Sequence, residues 1–581
     1  MLENGHYWRN RERREHVAVI EGEVSPTLVL KNGTYFNGYT KEWLNKNIWI
    51  LNDRIVYVGD KLPEQYNEET EIVDCTGQFL VPGYIEPHAH PSQLYNPENL
   101  ANHVAKFGTT TLINDNLTWL FLLERKKAFS LIENFNQLPI SMFWWARMDS
   151  QSALQNEDEF LDSEDILSWI SNPSVIQSGE LTSWPKLLAG DDRLLYWMQE
   201  SKRLGKPVEG HLPGASESTL TKMKLFGVSA DHESITGEEV LRRLRLGYQV
   251  GLRHSSIRPD LPLLLEEILA EGITSFENFT MTTDGATPAF YEHGMMNLCI
   301  EIAIEKGVPL SEAYQMATYN VARHFNLEEQ IGSITPGRIA HINILKAKDN
   351  PHPVGVLAKG KWILREEKEW EREPVIDWEK SGINELEFDW DLTDSDLQFS
   401  IPIGLDMMSN VIIRPYAIET DVTLDVLPGN RSDAFLILMD REGKWRVNTT
   451  LRGFTDRLGA LVSSYSTTGD IVFIGKSKYD MKIAWKRMKE LGGGIVLAHE
   501  GKIVFELPLR LGGMMFRGDM TALISKEKQL KKLLKEYGYK YDDPVYSILF
   551  LAATHLPYIR ITQQGIIDVK KRELLVPAIM R

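Results

Sequence analysis

Two histidines separated by one residue follow a strand-like apolar segment. His88-Ala89-His90 comes just after FLVPGYIE, so both imidazoles point to the same side if the strand continues through them. One cation could then bind both side chains. On this motif alone, two histidines on the solvated face of a strand are an equally good interpretation, and the other candidate ligands must decide between them.

Further carboxylates and histidines recur after β-rich apolar segments, each just before a turn. They are Glu180 in VIQSGELTSW, His211 in PVEGHLPG, His232 in GVSADHES and Asp284 in FTMTTDGA. Borderline divalent metals prefer imidazole together with carboxylate. Four histidines and two carboxylates are therefore predicted to converge on one centre, where they hold a single metal ion or a pair that shares a bridging carboxylate.

The segment that carries these residues alternates between strand-like and helix-like stretches. Apolar pieces such as TTTLINDN and ISMFWWAR alternate with amphipathic pieces such as DRLLYWMQESKRLG, whose apolar spacing is helical. Such alternation over about 250 residues is typical of a parallel α/β barrel, whose reactive groups lie at the carboxyl ends of the strands. We predict a (β/α)8, TIM-like barrel over residues 84–335.

The regions on either side of the barrel have different sequence patterns. Residues 1–83 and 336–365 read as short strands and are predicted to form one discontinuous small β domain, with turns at Asn32-Gly33, Asn37-Gly38 and Asn52-Asp53. Residues 366–399 are acidic, show no sustained periodicity, and are predicted to be a linker. Residues 400–581 are predicted to form a C-terminal α+β domain, in which Gly492-Gly493-Gly494 is a helix-ending turn rather than a phosphate loop.

Composition narrows the class of protein. The chain has 581 residues, of which 43% are hydrophobic and 25% charged, the balance of a soluble globular protein. Its net charge of −17 opposes binding to nucleic-acid phosphates. Cys75 and Cys299 are too few for a disulfide framework, and neither a signal peptide nor a membrane span is apparent. We therefore expect a cytoplasmic enzyme with a small-molecule substrate and no nucleic-acid or membrane partner.

Several motifs, taken in their order along the chain, resemble those of one protein family. PGYIEPHAH, followed by EGH, DHE and TDG, resembles the amidohydrolase superfamily, and within it the adenine deaminase family is most similar. The resemblance covers most of the chain and includes ARHF, SITPGRIAHI and the C-terminal stretch MKELGGGIVLAHEGKIVFELPLRLGGMM. It implies that residues 84–335 are a metal-dependent hydrolase barrel and that residues 400–581 are an adenine deaminase-like C-terminal domain.

The resemblance also implies roles for single residues. It makes His88, His90, His211 and His232 metal ligands, Glu180 the bridging carboxylate, and Asp284 the last ligand, which can also accept a proton from the nucleophilic water. Glu233 matches the family's proton-shuttling glutamate, although a carboxylate at the start of a helix is the alternative interpretation. One or two divalent ions per chain are implied, with manganese favoured by the family and iron or zinc as alternatives.

Three stretches depart from the family pattern on the substrate side. They are Pro91–Leu94, Asn114–Leu117 and Ser464–Asp470. The chain therefore resembles a divergent branch of the adenine deaminases. Arg253 and His254, which follow another strand-like segment, are further candidates for contact with substrate.

The leading hypothesis is hydrolytic deamination of adenine, or of a related aminopurine, by a metal-activated hydroxide, with hypoxanthine and ammonia as products and a role in purine salvage. One alternative keeps the metal site but makes the substrate a cyclic or acyclic amide. Another is an inactive barrel that serves as an interaction scaffold. The enzyme is expected to be a homo-oligomer.

Overall fold

The computed structural model describes residues 9–64, 66–366, 368–369 and 374–581. Parts of the predicted N-terminal β segment and of the predicted acidic linker therefore lie outside the described residues. Across the described ranges, no helix combines the length and the apolar character that crossing a membrane would require.

The small β domain begins with one helix and five strands. Their bounds are α1 (Asn10–Ile20), β1 (Leu28–Asn37), β2 (Glu42–Leu51), β3 (Arg54–Gly59), β4 (Glu71–Asp74) and β5 (Phe79–Pro82). The predicted Asn52-Asp53 turn joins β2 to β3, and Asn52 has the left-handed φ of 54° that such a short turn needs. Asn32-Gly33 differs from the prediction because it lies inside β1, where the register against β2 shifts as in a bulge.

Eight parallel strands then form the barrel. They are β6 (Tyr84–Ala89), β7 (Thr109–Asn114), β8 (Ser141–Ala146), β9 (Val175–Leu181), β10 (Val208–Gly210), β11 (Ala230–Asp231), β12 (Gln249–Arg253) and β13 (Phe279–Thr282). Each strand pairs with the next one along the chain, so the sheet order follows the sequence order. The predicted α/β barrel is confirmed.

Helices connect or follow the barrel strands. They are α2 (Pro97–Ala105), α3 (Leu117–Leu122), α4 (Arg125–Asn134), α5 (Glu157–Phe160), α6 (Ser163–Ser171), α7 (Trp184–Leu188), α8 (Asp192–Arg203), α9 (Glu217–Phe226), α10 (Gly237–Arg245), α11 (Leu261–Ala270), α12 (Met296–Glu305), α13 (Leu310–Gln315) and α14 (Tyr319–His324). Several begin at a side chain that accepts a hydrogen bond from the first turn, as Asp191 does for α8 and Ser216 for α9. Strands β7, β8 and β9 are buried along their whole length, and β8, SMFWWA, is almost entirely apolar.

The chain returns to the small β domain after the barrel. The returning strands are β14 (Ile342–Leu345), β15 (Gly355–Ala358), β16 (Lys361–Arg365) and β17 (Lys368–Glu369). Strand β14 pairs antiparallel with β5, so the two β regions form a single sheet of nine strands. Leu30, Ile50, Leu80 and Ile342 belong to its buried core, which neither half supplies alone.

The described part of the acidic segment is packed rather than solvated. Between Pro374 and Phe399 there is no helix or strand among the described residues, in keeping with the lack of periodicity. Its apolar side chains are nevertheless buried, since Trp378 is 5% exposed and Trp390 8% exposed. Trp390 stacks on Trp485 of the C-terminal domain with ring centroids 4.0 Å apart. The segment thus differs from the expected tether because its apolar residues, spaced among the charges, cover both domains.

The C-terminal domain contains two sheets and three helices within the described residues. Its elements are β18 (Ile403–Met407), β19 (Ile413–Ala417), β20 (Asp433–Met439), β21 (Trp445–Arg452), β22 (Ala460–Ser463), β23 (Ile471–Gly475), α15 (Lys478–Leu491), β24 (Gly494–His499), β25 (Lys502–Pro508), α16 (Met520–Glu536), α17 (Pro544–Leu549), β26 (Ile559–Thr562), β27 (Gly565–Asp568), β28 (Glu573–Pro577) and β29 (Ile579–Met580). Strands β18–β25 and β29 form the large sheet, and β26–β28 form the small one. Gly492 ends α15 with a φ of 69°, as the predicted helix-ending turn requires.

A buried carboxylate joins the first and last strands of the barrel. Glu86 on β6 is fully buried and accepts hydrogen bonds from Thr282 Oγ1 at 2.6 Å, Thr283 N at 2.9 Å and Thr283 Oγ1 at 2.8 Å. It also accepts one from the backbone N–H of His88 at 2.9 Å. Glu86 therefore ties the end of β13 to the strand that carries the His88-Ala89-His90 motif.

We expect Glu86→Gln to destabilise the protein. The amide NH2 group would face hydrogen-bond donors that now meet a carboxylate oxygen, so buried donors would lose their acceptor. The free energy of unfolding should fall by about 1–3 kcal/mol, measured by urea denaturation. The exposed Glu133 on α4 provides the control, since Glu133→Gln should change it by about 0.5 kcal/mol or less. An unchanged unfolding midpoint in the Glu86 variant would contradict this role.

Candidate active site

All eight barrel strands contribute a side chain to one mouth of the barrel. The six predicted ligands meet there in three overlapping groups, within each of which the ligand atoms lie within 4.8 Å of one another. The groups are His88 with His90 and Glu180, His88 with His232 and Asp284, and Glu180 with His211 and His232. Asp115, Arg147 and Arg253 come from the ends of the remaining strands.

Glu180 lies between the two pairs of histidines. Its Oε2 is 3.8 Å from His88 Nε2 and 3.9 Å from His90 Nε2. Its Oε1 is 3.6 Å from His232 Nε2 and in close contact with His211 Nδ1. One carboxylate thus faces both pairs, which is the position that a bridging ligand would need.

Asp284 completes the group on the other side of the first pair. Its Oδ1 is 3.5 Å from His88 Nε2 and 3.3 Å from His90 Nε2. Its Oδ2 accepts a hydrogen bond from Arg253 Nη1 at 2.6 Å. One oxygen therefore faces the histidines while the guanidinium holds the other.

The donor atoms fit a divalent cation. His88 Nε2 and His232 Nε2 are buried and find no hydrogen-bond partner among the described residues. On the outer side, His90 Nδ1 lies 2.9 Å from Asp115 and His232 Nδ1 lies 3.0 Å from Glu209. A carboxylate at the outer nitrogen fixes the tautomer that leaves the inner nitrogen free to bind a metal.

The charges around these donors are strongly coupled. Burial alone would raise the pKa of Glu180, but the charges of His211 and Arg147 outweigh it and hold the pKa well below its usual range. Burial would lower the pKa of His90, but hydrogen bonds with Asp115 and Asp284 raise it to about 9. Without a cation His90 therefore carries a proton at neutral pH, and metal binding would displace that proton.

Arg147 is a central residue that the motifs did not single out. It is fully buried, and its Nη2 donates to Asp115 Oδ2 at 2.7 Å and to Glu180 Oε2 at 2.9 Å. It lies directly after β8, at the end of ISMFWWAR, so its position at a strand end was a usable signal. Asp115, in one of the three stretches that depart from the family pattern, links Arg147 to His90.

Glu233 faces the second pair of histidines. Its Oε1 is 3.5 Å from His211 Nδ1 and 3.7 Å from His232 Nε2, and its Oε2 accepts a hydrogen bond from Arg258 at 3.0 Å. Helix α10 begins instead at Thr236, whose hydroxyl accepts from the Glu239 N–H. Burial would raise the pKa of Glu233, but the nearby cationic groups, Arg253 foremost, lower it to about 2. The helix-start interpretation therefore does not describe this side chain.

The two candidate substrate residues have different surroundings. Arg253 contacts both Glu233 and Asp284, so carboxylates of the site already neutralise its charge. His254 is partly exposed, lies 5.7 Å from the ring of Phe290, and has no hydrogen-bond partner for Nδ1 among the described residues. His254 remains a hypothesis for substrate contact, whereas Arg253 positions the site's carboxylates.

The C-terminal domain covers this mouth at two of the three departing stretches. The backbone N–H of Phe516 donates to Leu94 O at 2.6 Å, and the Tyr465 hydroxyl donates to Gln93. His555 reaches the ligands themselves, with its ring centroid 5.2 Å from that of His211. No motif marked His555, because only the packing of the two domains places it beside a residue so distant in sequence.

Comparison with known proteins agrees with this geometry. A family model described as "Amidohydrolase family" matches residues 79–363, and one described as "Adenine deaminase C-terminal domain" matches residues 413–573. The chain is 60% identical to an Oceanobacillus iheyensis protein and 49% identical to a Bacillus subtilis protein, both named "Putative adenine deaminase", over the full length of each chain. It is 28% identical to a Methanococcoides burtonii protein named "Adenine deaminase", over 97% of this chain and 98% of the other.

The barrel and its ring of histidines and carboxylates define a hydrolase of the amidohydrolase class, which acts on C–N bonds. More specifically, the chain belongs to the adenine deaminase family. The resemblance that the sequence motifs suggested is confirmed.

Gly285 offers a test of the candidate metal site. A Cβ atom at this position would lie 2.5 Å from His90 Cβ and 2.6 Å from His90 Cδ2, and the residue has a φ of 65°. We expect Gly285→Ala to displace the His90 ring and to weaken Mn²⁺ binding by about 10- to 100-fold, the range found for changes beside a ligand. Titration with Mn²⁺ measures the effect.

A second glycine separates backbone strain from contact with the ligand. Gly272 has a φ of 78°, but no atom lies within 4 Å of its added Cβ. Gly272→Ala should therefore lower stability without changing the affinity for Mn²⁺. Equal metal affinity in the two variants would mean that the Gly285 contact with His90 does not shape the metal site.

Proposed function

We propose that the protein deaminates adenine hydrolytically, converting adenine and water into hypoxanthine and ammonia. The observation that carries this proposal is a carboxylate, Glu233, placed 3.5 Å from a candidate ligand without belonging to the ligand set. Membership in the adenine deaminase family supports the choice of substrate.

The six converging residues would hold one or two divalent ions, for which we propose manganese. Imidazole and carboxylate donors suit manganese, iron and zinc alike, and the family resemblance favours manganese. When bound, such an ion would lower the pKa of a water molecule toward neutrality and so supply a nucleophile.

The remaining residues would move protons and hold each other in place. Asp284 would accept the proton of the attacking water through the oxygen that faces His88 and His90. Glu233 would then carry a proton to the ring nitrogen and on to the departing amine, so that ammonia leaves. Arg253 contacts both carboxylates and would fix the distance between the two proton-transfer groups.

A substrate screen tests the proposed reaction. Wild-type enzyme loaded with Mn²⁺ would be incubated with aminopurines, pyrimidines and cyclic amides while ammonia and new carboxylate are both measured. We expect ammonia release with adenine or a close aminopurine. Formation of carboxylate from a cyclic amide, without ammonia from any purine, would overturn the proposal in favour of an amide hydrolase.

We expect Glu233→Gln to lose turnover while it keeps its metal. The six candidate ligands are untouched, and the nearly isosteric amide keeps one oxygen that can accept a hydrogen bond from Arg253 or Arg258, though not from both. General acid-base groups contribute about 10²- to 10⁴-fold, so kcat should fall by that factor. Metal content and melting temperature should be measured beside kcat to separate catalysis from folding.

Glu239 at the start of α10 is the matched control. Its side chain accepts a hydrogen bond from the Ile235 N–H at 2.8 Å and is half-buried. Glu239→Gln should leave kcat unchanged. If Glu233→Gln also kept wild-type turnover with full metal loading, Asp284 would remain as the proton acceptor and Glu233 would leave the mechanism.

A further inference from the structure

His555 lies beside a candidate metal ligand, and the residues just before it are hydrogen-bonded to the barrel. Ser152 Oγ donates to Ala552 O at 2.7 Å, and the Thr554 N–H donates to Gln151 O at 2.9 Å. The Gln151 side chain in turn lies beside Arg147 and Glu180. The barrel loop that borders Glu180 therefore fixes the position of the C-terminal segment that carries His555.

The His555 ring packs between aromatic neighbours from both domains. Its centroid is 5.2 Å from the ring of His211, at an interplanar angle of 81°, and 5.5 Å from the ring of Phe550, at 89°. These contacts hold the ring, but they leave a polar atom unsatisfied. His555 Nδ1 is shielded from solvent and has no hydrogen-bond partner among the described residues.

A shielded polar atom without a partner is unfavourable, and such atoms in native proteins call for an explanation. Here the atom belongs to a residue whose ring lies beside His211, one of the candidate ligands at the mouth of the barrel. A neutral imidazole can donate or accept a hydrogen bond. Nitrogen heterocycles such as aminopurines offer both kinds of partner.

We infer that His555, supplied by the C-terminal domain, is a substrate-binding residue that hydrogen-bonds the substrate heterocycle through Nδ1. This inference rests on the proposed function for the choice of a purine as ligand. It gives the C-terminal domain a direct part in recognition, beyond covering the barrel.

Two substitutions separate hydrogen bonding from packing. His555→Phe keeps an aromatic ring against His211 and Phe550 but removes the polar atom, whereas His555→Asn keeps a polar atom near the position of Nδ1. His499→Phe is the matched control: His499 is also a partly buried histidine of the C-terminal domain, stacked on an aromatic ring, but its Nδ1 accepts a hydrogen bond from Gly459 N at 3.2 Å.

We expect His555→Phe to raise KM for adenine roughly tenfold, as the loss of one hydrogen bond would do. The dissociation constant of hypoxanthine, measured by calorimetry on the Mn²⁺-loaded protein without turnover, should rise by a similar factor. His555→Asn should restore most of both losses, and His499→Phe should show neither. Metal content and melting temperature should match the wild type in all three variants.

Wild-type KM and wild-type hypoxanthine affinity in His555→Phe would overturn the inference and leave the proposed function standing. A loss that His555→Asn does not restore, accompanied by lower metal content or melting temperature, would also overturn it, since it would assign His555 to packing. If the wild type hydrolyses a cyclic amide instead of adenine, and its KM depends on His555 in the same pattern, the proposed function fails while the inference holds for that heterocycle.

Discussion

The buried carboxylate of Glu180 is the feature on which the rest of the site depends. It is 2% exposed, faces all four candidate histidine ligands, and would be strongly disfavoured as an anion without nearby positive charge. Arg147 supplies that charge at 2.9 Å and is itself fully buried. A cation in the site would supply the rest, so metal binding and the stability of this part of the barrel are linked.

The surroundings of Glu180 depend on the whole barrel, because the side chains that contact it come from different strands. Each strand ends at the same mouth, and a side chain from each strand end takes part in the network around Glu180. Glu86 on β6 accepts hydrogen bonds from the end of β13, which fixes His88 relative to Asp284. The ligand geometry therefore depends on all eight strands of the barrel rather than on two or three loops.

Much of this site could be predicted from the sequence, because strand ends leave a local signal. An apolar segment followed by a histidine or carboxylate and a turn identified His88, Glu180, His211, His232 and Asp284, all of which meet in the structure. The same pattern ends at Arg147, but an arginine is not a metal ligand, so the search for ligands passed over it. The acidic segment was predicted to be a solvated linker because its charges are visible in the sequence. The residues that bury Trp378 and Trp390 lie far away in the chain, so the sequence pattern did not show that the segment is packed.

The position of His555 could not be predicted from sequence patterns. Its position depends on hydrogen bonds between the barrel loop at Gln151 and the segment after α17, and neither partner carries a recognisable motif. Contacts between domains depend on the shape of both surfaces, whereas a strand end is defined by a few neighbouring residues. For this reason the metal centre follows from the sequence and the substrate side of the pocket does not.

The charged groups around the candidate histidine ligands affect which ions and substrates the site can bind. Five carboxylates contact the candidate histidine ligands, namely Asp115, Glu180, Glu209, Glu233 and Asp284. Three guanidinium groups contact them in turn, those of Arg147, Arg253 and Arg258. The excess of negative charge favours a divalent cation over any anionic ligand at the histidines. Five carboxylates against three guanidinium groups leave an excess of two negative charges, which one divalent ion would balance. A site balanced in this way has no net charge that would attract an anionic substrate, in keeping with a neutral heterocycle as substrate.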